Sequence, residues 1–468
     1  MSESMTLSLA RYAASTSLER IPEEVRERAK QVILDELASA HFGREQPAGT
    51  LAAQYVAGLG GLPEARVLGT SLRVSAPLAA LANGTAGHAD EIDGAHVVGG
   101  HPGATLVHAA VAMAERQSAT GAELLNAVVL GYDIGVRLIE ACGGLFGVKE
   151  RHHLNADFLH AVAAAVASSR LMGLAAERYC HAMALATFQA SGLVALFQEK
   201  RHISKAFCNG QYAMAGVSAA LMAATGFEGC DDILGDPHGL LDAWGAEGAS
   251  EVVTRGLGRD FAVTGANFKF VRAGYPIHAP VEAALSLVAR HAIGTGTISA
   301  VEVGMPARAL RVVDDRRMRN ICLQDMLAVA LLRGGLKLSE TPFPTVLDDP
   351  AFAPLRARIT LVVNPLLEAQ APHGRGALVT IRTQDGRTVS ERVDHPRGHS
   401  ARGGVTWDEL TAKWHEASPE QDVDSWIAGA RRLDDLEHVG QLSNLFTNSR
   451  SAALIRGSRC RSSSPSMP

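Results

Sequence analysis

Between two strongly apolar stretches lies the chain's densest run of chemically capable side chains: His88, Asp90, Glu91, Asp93, His96 and His101, interleaved with Gly94, Gly99, Gly100 and Gly103. The glycines give this loop unusual backbone freedom. His101-Pro102 stands just before an apolar periodic run, so His101 falls at the positive end of a helix, a place suited to a carboxylate ligand or a developing anion. Three readings of the loop compete: a solvated loop with incidental charges, a divalent-metal site, and an acid/base and substrate-binding loop. No HExxH or His-x-His spacing supports the metal.

Other segments carry candidate groups. Lys205, in Ser204-Lys-Ala-Phe-Cys-Asn-Gly, opens a long run of small residues, and Lys200, Arg201 and His202 precede it. Basic residues are disfavoured at a helix N-terminus, which hints at an anionic partner for Lys205. Lys269, Arg272, Tyr275 and His278 cluster where the sequence pattern changes, and clefts between domains are common ligand sites. Arg151-His152-His153-Leu-Asn155-Ala-Asp157 precedes an alanine-rich run, where Asn155 or Asp157 could cap a helix.

The elements that must position these groups are mostly helices. Pro22 opens the clearest one, with Glu23 and Glu24 in its first turn, an apolar stripe at Val25, Ala29, Val32, Ile33 and Leu37, and Gly43 at its end. Further helices are predicted over about 76–87, 104–116, 121–141, 157–173, 176–190 and 208–225. From residue 263 alternating β-branched segments appear, at 298–303, 359–363, 377–382 and 388–393, with helices at 280–291 and 320–333 between them. Asp385-Gly386 marks a hairpin between the last two strands. This predicts an α+β unit with a small antiparallel sheet over 263–397. Helices return in 406–417 and 420–448 and are expected to rejoin the first unit. The fold class is therefore mainly α: a large all-α domain over 1–262, completed by 398–448, with a smaller inserted α+β domain. The Ser/Arg-rich stretch 456–468 is expected to be disordered.

Composition bounds the function. A net charge of −5 with no basic stripe excludes a nucleic-acid footprint. The six cysteines are scattered without a CxxC pair, which points to free thiols. No signal-peptide pattern or membrane-length apolar run is present, so a cytoplasmic location is expected.

Taken in order, LANGTAGHADEIDGAH…GHPGATLVHAAVAMAE, the His153 region before AVAAAVASSRLMGL, SKAFCNGQYAMAGVSAALMAATGFEG and NFKFVRAGYPIHAPVEAAL resemble the MmgE/PrpD (2-methylcitrate dehydratase) family. Further agreement lies in VVDDRRMRNICLQDMLAVALLRGG and HPRG…TWDELTAKW, so the resemblance spans about 6–445. It implies a homodimer whose large all-α domain carries a smaller α+β lid. It also implies an enzyme that uses no metal or organic cofactor and acts on a small carboxylic acid. Family activities include 2-methylcitrate dehydratase, cis-aconitate decarboxylase and iminodisuccinate epimerase. By the resemblance, His101 is the active-site histidine, Glu91 replaces a loop aspartate, and Ala95 replaces a threonine. His153 matches the histidine of an HPT-like motif, Lys205 the lysine before the small-residue helix, and Lys269 and His278 the cleft residues. Read chemically, His101, Glu91, Asp93 and His153 are the catalytic candidates, and Lys205, Lys269 and His278 the substrate-binding ones. The leading reaction is loss of water from a hydroxy-carboxylic acid after proton abstraction next to a carboxylate. Epimerisation and decarboxylation are alternatives on the same scaffold. A metal-dependent hydrolase or a binding protein without turnover are alternatives of a different class.

Overall fold

A computed structural model describes residues 4–189, 191–340, 346–371 and 373–447. The fold is mainly α, with only small sheets. The helix Glu23–Gly43 starts at Pro22, carries Glu23 and Glu24 where the macrodipole favours anions, and buries Val25, Ala29, Ile33 and Leu37 in the core. Helices Ala76–Gly87, Pro102–Gln117 and Gly121–Ala141 match the sequence expectation closely. The predicted helix over 157–173 divides into a 3-10 turn, Ala156–Leu159, and the helix His160–Leu171. Helices Met5–Ser15, Pro47–Leu59 and Gly144–His152 were not anticipated.

Small residues set how closely the helices approach. Helix Ser204–Ala224 lies against Ala76–Gly87, and a Cβ added at Gly84 would fall 2.9 Å from the Cα of Gly210. Any larger residue at this crossing would push the helices apart. The contact has a positional result: it sets Lys205, at the start of one helix, beside His88, which ends the other.

Residues 298–393 hold a four-stranded sheet in the order Ile359–Val363, Ile298–Met305, Ala377–Thr383, Thr388–Val393. The last two pairings are antiparallel, but Ile298–Met305 and Ile359–Val363 run parallel, which corrects the expectation of an antiparallel sheet. The connection between those two strands contains the helices Ala307–Val313 and Leu323–Arg333 and is long enough to cross over, whereas a tight turn would force antiparallel pairing. Gly386, at φ +86°, takes the left-handed position of the predicted hairpin. Val301, Val303, Val379 and Ile381 pack with Ala284, Leu287, Met326 and Val329 of helices His278–His291 and Leu323–Arg333 in a core of their own.

After the sheet the chain returns to the helical part. Helix Trp407–Ala417 starts with a capping box from Thr406 and Glu409. Trp414 and Trp426 share one core with Ile33 and Leu37. Lys413 is fully buried and donates to Asp35 at 2.6 Å and to the carbonyl of Ile92 at 3.0 Å. Residues 456–468, expected to be disordered, lie outside the described residues. Among the described residues no helix is long and apolar enough to cross a membrane.

Candidate active site

The loop after helix Ala76–Gly87 is pinned at several points. Residues Ala95–His96 pair antiparallel with Ala266–Asn267, and this short ribbon brings Lys269 under the loop. Gly100 lies at φ +69°, and a Cβ there would meet Asp157 Oδ1 at 1.9 Å. Only glycine permits both the turn and the close carboxylate. Asp157 Oδ1 accepts the His101 N–H at 2.9 Å, so it fixes the residue that begins helix Pro102–Gln117.

Glu91 sits at φ +52°, a left-handed conformation that costs a side-chain-bearing residue about 1–2 kcal/mol. Charge compensation holds it there. Its carboxylate accepts from Lys205 Nζ and, at 2.7 Å, from Lys269 Nζ. Burial raises its pKa, but the two lysines outweigh this and keep the carboxyl well below the ordinary range. Asp93 behaves alike: burial is overcome by His88, Lys269 and His101. Its Oδ2 lies 2.8 Å from His88 Nδ1 and 3.1 Å from His101 Nδ1, and its Oδ1 accepts from Lys269 at 3.4 Å. Two carboxylates and two ammonium groups thus balance in one buried cluster, the condition under which buried charge is tolerated.

The proton positions follow from these partners. Burial, with Lys205 and His101 adding to it against Asp93, holds His88 at about 4, so the ring is neutral. Facing a carboxylate, its Nδ1 must carry the hydrogen, and its Nε2 accepts from Lys205. His101 Nδ1 faces two acceptors, Asp93 Oδ2 and Gly94 O, both at 3.1 Å. It therefore also carries its hydrogen on Nδ1, which leaves Nε2 as the basic nitrogen of the neutral ring. A carboxylate that fixes the tautomer of an imidazole is a recurrent way to prepare a base.

Glu91, His101, Lys205, Asn155 and Asp157 line a cleft of about 710 Å³, counted to its open mouth, together with Lys149, Tyr275 and Arg375. The cleft takes walls from the helical part and from the sheet-bearing part. Of the residues predicted from sequence, His101, Glu91 and Lys205 reach this cleft. Asp93 and Lys269 are fully buried behind them. His278 is buried against Tyr275, with its ring held at about 3 by burial and by Lys269, and does not line the cleft. His153 is exposed. It ends helix Gly144–His152 in a left-handed turn, and its segment enters the cleft through Asn155 and Asp157 instead.

His88, Glu91 and His101 each offer a metal-ligand atom within 4.8 Å of the others. The ammonium of Lys205, however, already bonds to Glu91 and to His88 Nε2. A cation of the chain's own therefore engages two members of that donor set. Sequence reasoning placed His88 only at the edge of the loop, and passed over Lys149 and Arg375, which sit in no motif.

The described cysteines are free. The model of the MmgE/PrpD N-terminal domain matches residues 7–251, and that of the C-terminal domain matches 272–423. The chain is 26% identical to the cis-aconitate decarboxylase-like protein oryM of Aspergillus oryzae, over 97% of each chain. It is 24% identical to cis-aconitate decarboxylase of Aspergillus terreus, over 94% of this chain and 96% of the relative. To the human cis-aconitate decarboxylase it is 23% identical, over 95% of each. With both domain models matched across most of its length, the chain belongs to the MmgE/PrpD family and is an enzyme of the lyase or related isomerase kind.

Proposed function

We propose that the protein is a lyase for a small di- or tricarboxylic acid, with His101 moving the proton at the carbon next to a carboxylate. The observation that carries this reading is the Asp93–His101 pair at the cleft wall beside Lys205. A proton next to a carboxylate is weakly acidic, so the carboxylate must be neutralised while a base reaches the carbon. Lys205, held by Glu91 and His88, turns its remaining N–H to the cleft to steady the developing charge, and His101 Nε2 is the base. Lys269, being buried, acts by holding Glu91 and Asp93 in place.

In elimination, His101 takes the proton, the carbon–carbon double bond forms, and the hydroxyl leaves as water with a proton from the Lys205 ammonium. This remains the leading reaction. Decarboxylation is the second, favoured by the names of the three relatives. There carbon dioxide departs and the electron pair left on carbon takes a proton from Nε2 of His101, which for this route must start as the imidazolium. Neither route calls on a metal or an organic cofactor.

The test is a panel of hydroxylated and unsaturated di- and tricarboxylates incubated with the protein in deuterated water, with and without chelator, and followed by NMR. Alkene formation supports dehydration, carbon dioxide release supports decarboxylation, and exchange without net loss indicates epimerisation. Loss of turnover on chelation would overturn the cofactor-free reading. Unchanged turnover in His101→Ala would overturn the assignment of the base.

We also propose a homodimer. Leu51, Tyr55 and Leu59 are each more than half exposed on one face of helix Pro47–Leu59, an apolar stripe that an interface would cover. Light scattering on the purified protein checks it, and a monomer at micromolar concentration refutes it.

A further inference from the structure

Buried cations in this protein come with carboxylates. Among the described residues the buried lysines and arginines are Lys30, Arg137, Lys205, Lys269, Arg272, Arg375 and Lys413. Six of them form ion pairs, with Asp434, Asp133, Glu91, Glu91, Asp90 and Asp35 respectively. Arg375 is the exception. It is 7% exposed, lines the cleft, donates to the carbonyl of Val97, and keeps a buried Nε with no partner.

A second cation in the cleft, half-buried, also lacks a counter-ion. Lys149 lies 4.4 Å above the ring of Phe197 and has no ion-pair partner among the described residues. The adjacent Glu150 is already paired with Arg308 and Arg311, at 3.0 and 2.7 Å. Phe146 and Lys149 are one turn apart on helix Gly144–His152, and the Arg375 guanidinium lies 5.3 Å over the Phe146 ring. The two cations therefore flank the same helix wall. The nearby carboxylates are engaged elsewhere: Glu91 by Lys205 and Lys269, and Asp157 by the His101 N–H and Asn155. An uncompensated charge in a desolvated cleft is costly unless a ligand completes it.

We infer that Lys149 and Arg375 hold the carboxylates of the substrate that lie remote from the carbon served by His101, and so decide which acids the cleft accepts. The inference rests on the proposed reaction only in taking the ligand to be a carboxylic acid. In support, burial followed by Arg316 and Arg311 lowers Lys149 to about 8, and burial lowers Arg375 to about 10, as expected of cations without a counter-ion.

Tricarballylate, which lacks a hydroxyl to eliminate, and butyrate are the probes, titrated calorimetrically at pH 7 into wild type, Lys149→Met, Arg375→Met, Arg375→Lys and His101→Ala. Wild type is expected to bind tricarballylate at least about 100-fold more tightly than butyrate. Each methionine variant is expected to lose about tenfold or more of the tricarballylate affinity, and Arg375→Lys to recover part of it. Lys149→Met should also raise the melting temperature of the ligand-free protein, because it removes an unpaired cation. A merely structural lysine would lower it. Wild-type-like tricarballylate affinity in both methionine variants, or equal binding of the two probes by wild type, overturns the inference. If those variants bind normally while His101→Ala abolishes turnover, the inference fails and the proposed function stands. If Lys149→Met weakens binding while His101→Ala turns over normally, the reverse holds.

Discussion

Replacing Lys269 by methionine is the sharpest probe of the buried cluster. Its ammonium lies 2.7 Å from Glu91 and 3.4 Å from Asp93, with no solvent exposure. At an effective dielectric of about 20 those contacts are worth roughly 6 and 5 kcal/mol before desolvation is counted. Methionine also removes the cost of burying the ammonium, so the net loss is smaller, about 3–5 kcal/mol, as for other buried pairs that lose one partner. The loss should depend on pH. In wild type the Glu91 and Asp93 pKa values are depressed, so their contribution is present above the unfolded carboxyl range and fades as pH falls through the folded values. Without Lys269, burial of Asp93 is opposed only by His88 and His101, so its folded value rises and the variant takes up that proton at higher pH than wild type does. The difference between variant and wild type should therefore shrink from pH 8 to pH 5 in urea titrations. Glu91→Gln on the Lys269→Met background should restore part of the loss. A penalty below about 1 kcal/mol, or strict additivity of the two substitutions, would refute the charge-balance argument.

Three further outcomes are expected. Asp93→Asn should lower kcat more than it raises KM, since the amide can leave His101 in the wrong tautomer; steady-state kinetics checks this, and unchanged kcat sinks the orienting role. Gly100→Ala should lower the melting temperature and activity together, with a stability cost of about 2 kcal/mol or more, because its Cβ meets Asp157 and its φ is positive. The protein should lose stability as pH falls below about 6.5, because the unfolded chain takes up protons that the buried rings refuse. Burial holds His88 near 4 and His96, His108 and His278 near 3, each contributing up to about 1.4 kcal/mol per pH unit between those values and 6.5. Flat stability from pH 7 to 5 in urea titrations would contradict the neutral-ring assignment.

Where local pattern determines structure, sequence reasoning reached it. The helix from Pro22 to Gly43 has its start, face and stop written in adjacent residues, and the His88–His101 loop declares itself by glycine and charge. What escaped it depends on contacts between distant residues. Parallel pairing of Ile298–Met305 with Ile359–Val363 is decided by a crossover and not by alternation. Lys269 and Lys205 look equivalent as lone lysines, yet one is sealed behind Glu91 and the other meets the cleft. His153 and Asp157 lie four residues apart, yet His153 ends a helix in a left-handed turn and is exposed while Asp157 lines the cleft. Arg375 stands between two glycines before a strand, with no local sign of its missing counter-ion.

The bond from Lys413 to the carbonyl of Ile92 joins residues 321 apart in sequence. The same ammonium pairs with Asp35, so one side chain from beyond the sheet ties the first long helix to the loop that carries Glu91 and Asp93. On the ribosome, both the loop and Lys269 are made well before Lys413 emerges. Until then Asp35 and the Ile92 carbonyl have no ammonium to meet, and the loop lacks one of its anchors. Completion of the active centre thus waits for the synthesis of helix Trp407–Ala417, and a nascent or truncated chain ending at the sheet would hold most of the chemistry without the order needed to use it.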